Sequence, residues 1–417
     1  MKNKIITIPG SKSYTNRALI LATLSQPPVT IYNPLFSDDT KAMIDCLRKL
    51  GLLLDIQEDK IIVQKNISVI GKGPYNLFAH DSGTTIRFIL ALLTTVPGTK
   101  ILQGSEGLNK RPIKELVNGL TQLGAQIEYL QQPDTPPLKI DNMLIKSGTT
   151  KLNGDISSQY FSAIMMVAPI VGDITIEVVG NQISKSYIDM TIGMMNDWGV
   201  NVINDNYQKY VIKAGQSYRI KEYTVEGDFS GAGYFFGIAA LTKSTITLQN
   251  LNPNSKQGDL QFVKILEQMG NIVNSGKNEM TIIGKGIKPV VVDMELCPDQ
   301  AQTLAVLAAF ANGVTKMTGV RSLRVKETER VKATQTELAK MGIKTESPND
   351  DTLIIYGGNP RPATIDTYKD HRMAMSFAMA GTMLKDMIIN NPEVVNKTFP
   401  LFWDKLNSLE IDLAHDK

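Results

Sequence analysis

Cysteine and histidine are scarce in this chain of 417 residues, which has two thiols, Cys46 and Cys297, and three imidazoles, His80, His371 and His415. Two cysteines cannot build a disulfide framework or a four-thiolate zinc site, and three histidines leave little for metal ligation. Metal dependence and secretion are therefore not expected. An excess of one charge is missing too, because 44 Lys and Arg stand against 41 Asp and Glu, for a net charge of +3. So small a surplus does not mark a general nucleic-acid or membrane-surface binder, and any role for positive charge must be local. Long hydrophobic runs are absent as well: LAVLAAFA at 304–311 is far shorter than a membrane span, and the opening MKNKIITIPG lacks a signal-type apolar stretch. A cytoplasmic location is the expectation. What remains, 42% hydrophobic and 20% charged, is the composition of a globular chain long enough for two or three domains.

The chain repeats itself. Apolar helix-like stretches end in LRKLG, LTQLG, MNDWG, LEQMG and LAKMG, whose glycines at 51, 124, 199, 270 and 342 recur every 71 to 75 residues. A sixth, degenerate copy without the glycine fits LFWDKLNSL at 401–409. Within each unit a Ser, Thr or Asp cluster opens an Ala- and Leu-rich helix, a β-branched segment follows, then a second helix. The glycine suits the helix C′ position, and another strand comes after it. The spacing thus predicts an α/β protein of six βαβαββ-like units, with helices inside and sheets outside or the reverse. VEGDFSGAG near residue 226 opens the fourth unit and divides the chain into two similar halves.

Helix starts are where anion binding is to be sought, because free N–H groups and the positive dipole end gather there. PGSKSYTNRALILA carries Lys12, Ser13 and Arg17 into an apolar helix, with Ser13 and Arg17 four apart on one face. In DSGTTIRF, Gly83 lets a ligand approach the backbone. Arg111 stands just before Pro112, a residue suited to the first helical turn, where a guanidinium can grip carboxylate or phosphate. Ser157, Ser158 and Gln159 are consecutive neutral donors, and Ser184 and Tyr187 follow in QISKSYIDM, a set suited to a cyclitol phosphate. Asp299 precedes a nearly all-apolar helix, where N-capping is its ordinary role. RVKETER packs Arg324, Lys326, Glu327 and Arg330 into seven residues, with Glu327 and Lys326 at helical spacing from Arg330. DHRMAM brings Asp370, His371 and Arg372 to another helix start, and Lys397 follows in NKTFP. Lys12, Arg17, Arg111, Lys326, Arg330, Arg372 and Lys397 lie in both halves, which predicts one strongly positive cleft for a polyanionic ligand. Asp299 and Glu327, two carboxylates among many cations, suit proton transfer.

Taken together, PGSKSYTNRALILA, RPI at 111–113, SSQ at 157–159, SKSYID at 184–189, EGDFSGAGYF at 226–235, NSKQGD at 254–259, RVKETER at 324–330 and DHRMAM at 370–375 resemble the 5-enolpyruvylshikimate-3-phosphate synthase family over the whole chain. The resemblance implies two domains of three βαβαββ units, joined where the chain passes twice: residues 11–226, and residues 227–417 with 1–10 joining them. It implies transfer of the enolpyruvyl group of phosphoenolpyruvate to the 5-hydroxyl of shikimate 3-phosphate, with no metal or organic cofactor. The partners implied are those two small molecules, with neither nucleic acid nor membrane, and a monomer is expected. By resemblance Lys12, Ser13, Arg17, Ser157, Ser158, Gln159, Ser184, Tyr187, Asp299, Ser322 and Lys326 surround shikimate 3-phosphate. Lys12, Gly83, Arg111, Gln159, Arg330, Arg372 and Lys397 hold phosphoenolpyruvate. The chemistry implied is addition followed by elimination, with Asp299 as base toward the hydroxyl, Glu327 as acid at the methylene, and Lys12 stabilising charge or relaying a proton.

Two positions depart from the family pattern. Asp81 opens Asp-Ser-Gly-Thr where the family often has Asn, and Ser322 stands where Asn commonly precedes Arg-Val-Lys-Glu by two residues. Neither substrate affinity nor the response to glyphosate follows from the resemblance. The rival enzyme reading is the related transferase acting on UDP-N-acetylglucosamine, whose loop commonly carries a reactive cysteine; neither Cys46 nor Cys297 lies beside Arg111 in sequence. A rival of another class is a non-catalytic repeat protein binding phosphorylated ligands or nucleic acid, against which the near-zero net charge and the Asp299 and Glu327 pair both count.

Overall fold

The computed structural model describes residues 4–409; residues 1–3 and 410–417, at the ends of the expected domains, lie outside the described residues, as does His415. The repeat seen in the spacing is a repeat of sheet pairing. Strand Tyr75–Phe78 runs parallel to Lys100–Gln103, which pairs antiparallel with Leu138–Ile140, itself antiparallel to Ile127–Tyr129. The same order recurs in the four-stranded sheets built around Val29–Tyr32, Ile174–Val179, Thr245–Gln249 and Gly313–Thr318. The sixth unit keeps only the parallel pair Thr364–Ile365 and Ile388–Ile389, followed by the short helix Phe402–Asn407.

The open choice between helices inside and sheets inside is decided by burial. Helices Lys12–Leu24, Gly83–Leu93 and Ser158–Val171 are buried on nearly every side and pack on one another. Phe229–Thr242, Ala301–Ala309 and His371–Ala380 form a second such trio. A helix apolar all round, as Phe229–Thr242 and Ala301–Ala309 nearly are, has no face for water and goes to the centre, while Lys12–Leu24 is buried there with Asn16 and Arg17 inside. The strands, with alternating buried and open positions, form the outer layer, as in the BiBi pattern of Val29–Tyr32. The second helix of each unit is two-faced: Asp38–Lys49 buries Ala42, Met43, Cys46 and Leu47 and leaves Lys41, Asp45, Arg48 and Lys49 outside. The glycines that end these helices have φ of 93° at Gly51, 103° at Gly124, 94° at Gly199, 102° at Gly270 and 79° at Gly342. A left-handed C′ residue of this kind is open to glycine at little cost, which is why the signal was legible.

The chain packs as two compact units, Gly10–Val225 and residues 4–9 with 226–409. Two first strands are exchanged. Lys4–Thr7 pairs parallel with Thr245–Gln249, while Glu222–Thr224, just before the fourth unit, pairs parallel with Val29–Tyr32. Each exchange is fastened alike. Asn33, at φ 53°, donates from Nδ2 to the Val225 carbonyl at 2.8 Å, and Asn250, at φ 66°, donates to the Ile8 carbonyl at 2.9 Å. A Cβ on Gly10 would stand 2.1 Å from the Asn33 carbonyl oxygen, and one on Gly227 2.0 Å from that of Asn250. The backbones touch there because both glycines lack a side chain.

Candidate active site

In the unit Gly10–Val225 the polar residues gather where the three central helices begin. Their N-caps are Ser11, Ser82 and Ser157, all neutral; Ser82 accepts from the Thr85 amide and Ser157 from the Gln159 amide. Arg17, one turn into its helix, is almost wholly buried. Its Nε donates to Thr191 Oγ1 at 2.8 Å, its Nη1 to the Ser13 carbonyl at 3.1 Å and its Nη2 to the Tyr187 carbonyl at 3.3 Å. The guanidinium carbon stands 5.4 Å from the Phe88 ring centroid. Every one of these partners is neutral, and burial pulls the Arg17 pKa down to about 10, still a cation at neutral pH. A buried cation surrounded by uncharged acceptors favours an anionic ligand.

Lys12, the first residue of its helix, is held by Asp39 at 3.2 Å. Asp39 is buried, and its carbonyl accepts from Thr85 Oγ1 at 3.1 Å, tying Lys12 to the start of the Gly83–Leu93 helix. Gly83 lies under Arg111: a Cβ there would be 3.0 Å from Arg111 Nη1. Gln159 joins this group by donating to Thr84 Oγ1 at 3.3 Å and accepting from Arg87, whose guanidinium carbon lies 5.2 Å from the Tyr160 ring centroid. Ser158 is buried as the first residue of its helix, whereas Ser184 sits at φ 52° before helix Lys185–Asp197 with its hydroxyl not used for capping. The sequence-predicted residues Lys12, Ser13, Arg17, Gly83, Arg111, Ser157, Ser158, Gln159, Ser184 and Tyr187 thus stand at neighbouring helix starts. Sequence reasoning missed Asp39 and Arg87: Asp39 reads as an ordinary acid in the first turn of an amphipathic helix, and Arg87 as a single charge within an apolar one.

The unit of residues 226–409 builds its cluster around Arg330. This side chain is 2% exposed and meets three carboxylates: Asp299 Oδ1 at 3.0 Å, Glu327 Oε2 at 2.8 Å and Asp370 Oδ2 at 2.7 Å. Burial alone would lower its pKa, but Asp370, Glu327 and Asp299 outweigh that and hold it above the ordinary value. Arg372 reaches the other oxygen of Asp299 at 2.8 Å, with Tyr234 Oη at 3.3 Å and Ser230 Oγ at 3.4 Å, and Lys397 approaches Glu327 Oε1 at 3.5 Å. Asp299, Glu327, Arg330, Arg372 and Lys397 are therefore brought together. Ser322 lies in the 3-10 turn Arg321–Val325 and Lys326 at its C-cap.

Several expectations change. Asp299 is no N-cap: it lies in the 3-10 turn Pro298–Gln300, and the next helix is preceded by Gln300 without a side-chain cap, because both Asp299 oxygens are taken by Arg330 and Arg372. The RVKETER run is not one helix surface, since the helix starts at Arg330; Glu327 still meets Arg330, by folding back from the preceding loop. Arg111 does not enter a helix at Pro112, because the Ile113 amide is used by the Asp134 carbonyl and the helix begins at Lys114. Strong positive charge describes the first cluster but not the second, where Arg330, Arg372 and Lys397 face Asp299, Glu327 and Asp370.

The profile of the EPSP synthase (3-phosphoshikimate 1-carboxyvinyltransferase) family matches residues 2–406. A protein of Sulfurovum sp. (strain NBC37-1) named 3-phosphoshikimate 1-carboxyvinyltransferase is 39% identical over 413 residues, covering 97% of this chain and 96% of its own. One of the same name from Vibrio cholerae serotype O1 (strain M66-2) is 40% identical over 411 residues, with the same coverage of 97% and 96%. In fold, the chain is similar to the solved structure of EPSP synthase from Acinetobacter baumannii, with a TM-score of 0.82 at 24% identity, covering 98% of this chain and 97% of that one. With a match over nearly its whole length and relatives at this level of identity, the chain belongs to the EPSP synthase family.

Proposed function

We propose that this chain transfers the enolpyruvyl group of phosphoenolpyruvate to the 5-hydroxyl of shikimate 3-phosphate, releasing phosphate, on the route to chorismate and the aromatic amino acids. The observation that carries the reading is the meeting of Asp299 and Glu327 at one guanidinium, 3.0 and 2.8 Å from Arg330. Two carboxylates fixed on a shared cation can divide the work of base and acid without drifting apart. Asp299 takes the proton of the attacking hydroxyl as its oxygen bonds to the enol carbon. Glu327 delivers a proton to the methylene. The tetrahedral adduct then expels phosphate as a methyl proton is removed, with Lys12 stabilising charge or relaying a proton.

Arg17, Lys12 and Ser13, with the neutral donors Ser157, Ser158, Gln159, Ser184 and Tyr187 and with Ser322 and Lys326, serve shikimate 3-phosphate. Gly83, Arg111, Arg330, Arg372 and Lys397 serve phosphoenolpyruvate, whose carboxylate and departing phosphate need fixed cations. Each compact unit acts as one lobe of the enzyme, three repeats apiece. Phosphate release assayed with shikimate 3-phosphate and, separately, with UDP-N-acetylglucosamine tests the reading. Release only with the first acceptor is expected; release only with the nucleotide sugar, or with neither, overturns it.

A further inference from the structure

Behind the Asp299–Arg372 pair lies an acid, the last residue of the NSKQGD stretch, to which neither the sequence reading nor the reaction gives a role. Asp259, in the short turn Gly258–Leu260, is 6% exposed and accepts a hydrogen bond from Ser230 Oγ. The same Ser230 oxygen accepts from Arg372 Nη2 at 3.4 Å, and that nitrogen also bonds Asp299 Oδ2 at 2.8 Å. One hydroxyl therefore joins a buried carboxyl to the arginine assigned to the anionic substrate. From this geometry we propose that Asp259 is a positioning residue for anion binding at Arg372, taking up a proton from solvent as the anion arrives.

The physical reason is competition for one cation. While Asp259 is ionised, its charge attracts Arg372 through Ser230 and opposes a second anion there; once protonated, it leaves Arg372 to Asp299 and the ligand. The groups that face Asp259 are Asp228 at the cap of helix Phe229–Thr242, Asp299 and Cys297 around the turn Pro298–Gln300, and Arg372. Burial, with Asp299 adding to it and Arg372 opposing it, pushes the Asp259 carboxyl up to about 7. Cys297 and Tyr234 do not compete for that proton near neutrality, because burial pushes the Cys297 thiol up and holds the Tyr234 phenol at about 12.

The inference rests on the functional reading above, so its test separates the two. In the wild type, KM for phosphoenolpyruvate should rise about tenfold more between pH 6 and pH 8.5 than in Asp259→Asn, while kcat at pH 6 differs by less than about threefold. Asn keeps an acceptor for Ser230, and His371, whose Nδ1 lies 3.7 Å from Asp370, is common to both proteins. Matching KM profiles would overturn the inference. A wild type inactive with shikimate 3-phosphate would count against the functional reading, and sulfate, which does not titrate in this range, then decides the inference. Calorimetry in two buffers of unequal ionisation heat at pH 7 should find about half a proton taken up per sulfate by the wild type and none by Asp259→Asn. Equal uptake in both, or no sulfate binding to either, overturns it.

Discussion

The two units use the same repeat and begin their central helices in opposite ways. Gly10–Val225 has Ser11, Ser82 and Ser157 at the N-cap positions, Ser82 and Ser157 each accepting a helix amide, whereas residues 226–409 place Asp228, Asp299 and Asp370 at or just before the corresponding helix starts, Asp228 and Asp370 accepting the amides. A serine cap satisfies an amide and leaves the positive end of the helix dipole uncompensated, while an aspartate brings its own charge. Around the first three helices Arg17 meets only neutral oxygens, and around the second three Arg330 is closed in by Asp299, Glu327 and Asp370, of which Asp370 alone is a helix cap. The first arrangement waits for an anion from outside. The second already holds acids in place, and these can exchange protons with whatever binds. On the proposed function, one repeat architecture supplies a binding half and a proton-transfer half by changing the charged residues around the helix starts.

Removing the central cation from each cluster tests this contrast most severely. Arg330→Met takes away the cation that Asp299, Glu327 and Asp370 share, leaving Asp299 to Arg372 and Glu327 to Lys397 and uncovering buried Asp370, and denaturant unfolding should register a loss of about 3 to 5 kcal/mol. Arg17→Met discards a buried charge that has no acid partner among the described residues, so its unfolding free energy should change by less than about 1 kcal/mol while KM for shikimate 3-phosphate rises about a hundredfold. Comparable destabilisation by the two would erase the distinction. Asp299→Ala should lower kcat about a thousandfold with phosphoenolpyruvate still bound, as read by steady-state kinetics and equilibrium titration; undiminished turnover would remove Asp299 from its role.

At the fastenings of the exchanged strands, Gly10→Ala puts a methyl group against the fixed Asn33 carbonyl and should cost about 3 kcal/mol or more in chemical unfolding. A smaller effect belongs to Asp259. Its carboxyl is raised in the folded state, so the native form holds the proton that the unfolded chain releases, and the resulting stability declines as pH rises from about 4 to about 7. Asp259→Asn should consequently melt a few degrees above the wild type at pH 8, keep less than half of that advantage at pH 5 and lose it near pH 4, as followed by circular dichroism. A constant difference at both pH values would separate Asp259 from the charge of its cluster.

Much of the architecture was legible because its signals are local. Gly51, Gly124, Gly199, Gly270 and Gly342 mark helix ends, since a left-handed C′ residue is a property of a few consecutive backbone units. The apolar cores of Phe229–Thr242 and Ala301–Ala309 were equally visible, as helices without a wet face. Lys12, Arg17, Arg330 and Arg372 could be singled out because helix starts are recognisable and cations there stand out. Asp39 and Arg87 could not, since a first-turn acid ordinarily answers the helix dipole and a charge inside a helix usually faces water, and whether either does otherwise depends on what packs against it. Asp299 looked like a cap because capping is settled by nearby sequence, whereas its real partners, Arg330 and Arg372, come from 31 and 73 residues away.

By itself, then, the sequence determined the six-fold repeat, its helix ends and the residue types gathered at helix starts, all consequences of short-range backbone and hydrophobic patterning. The exchange of Lys4–Thr7 and Glu222–Thr224, the inward placing of helices, and the pairing that neutralises one cluster but not the other were decided by the tertiary structure. Those depend on which distant segments share a buried space, and in such a space the strength of every charge is set by its neighbours.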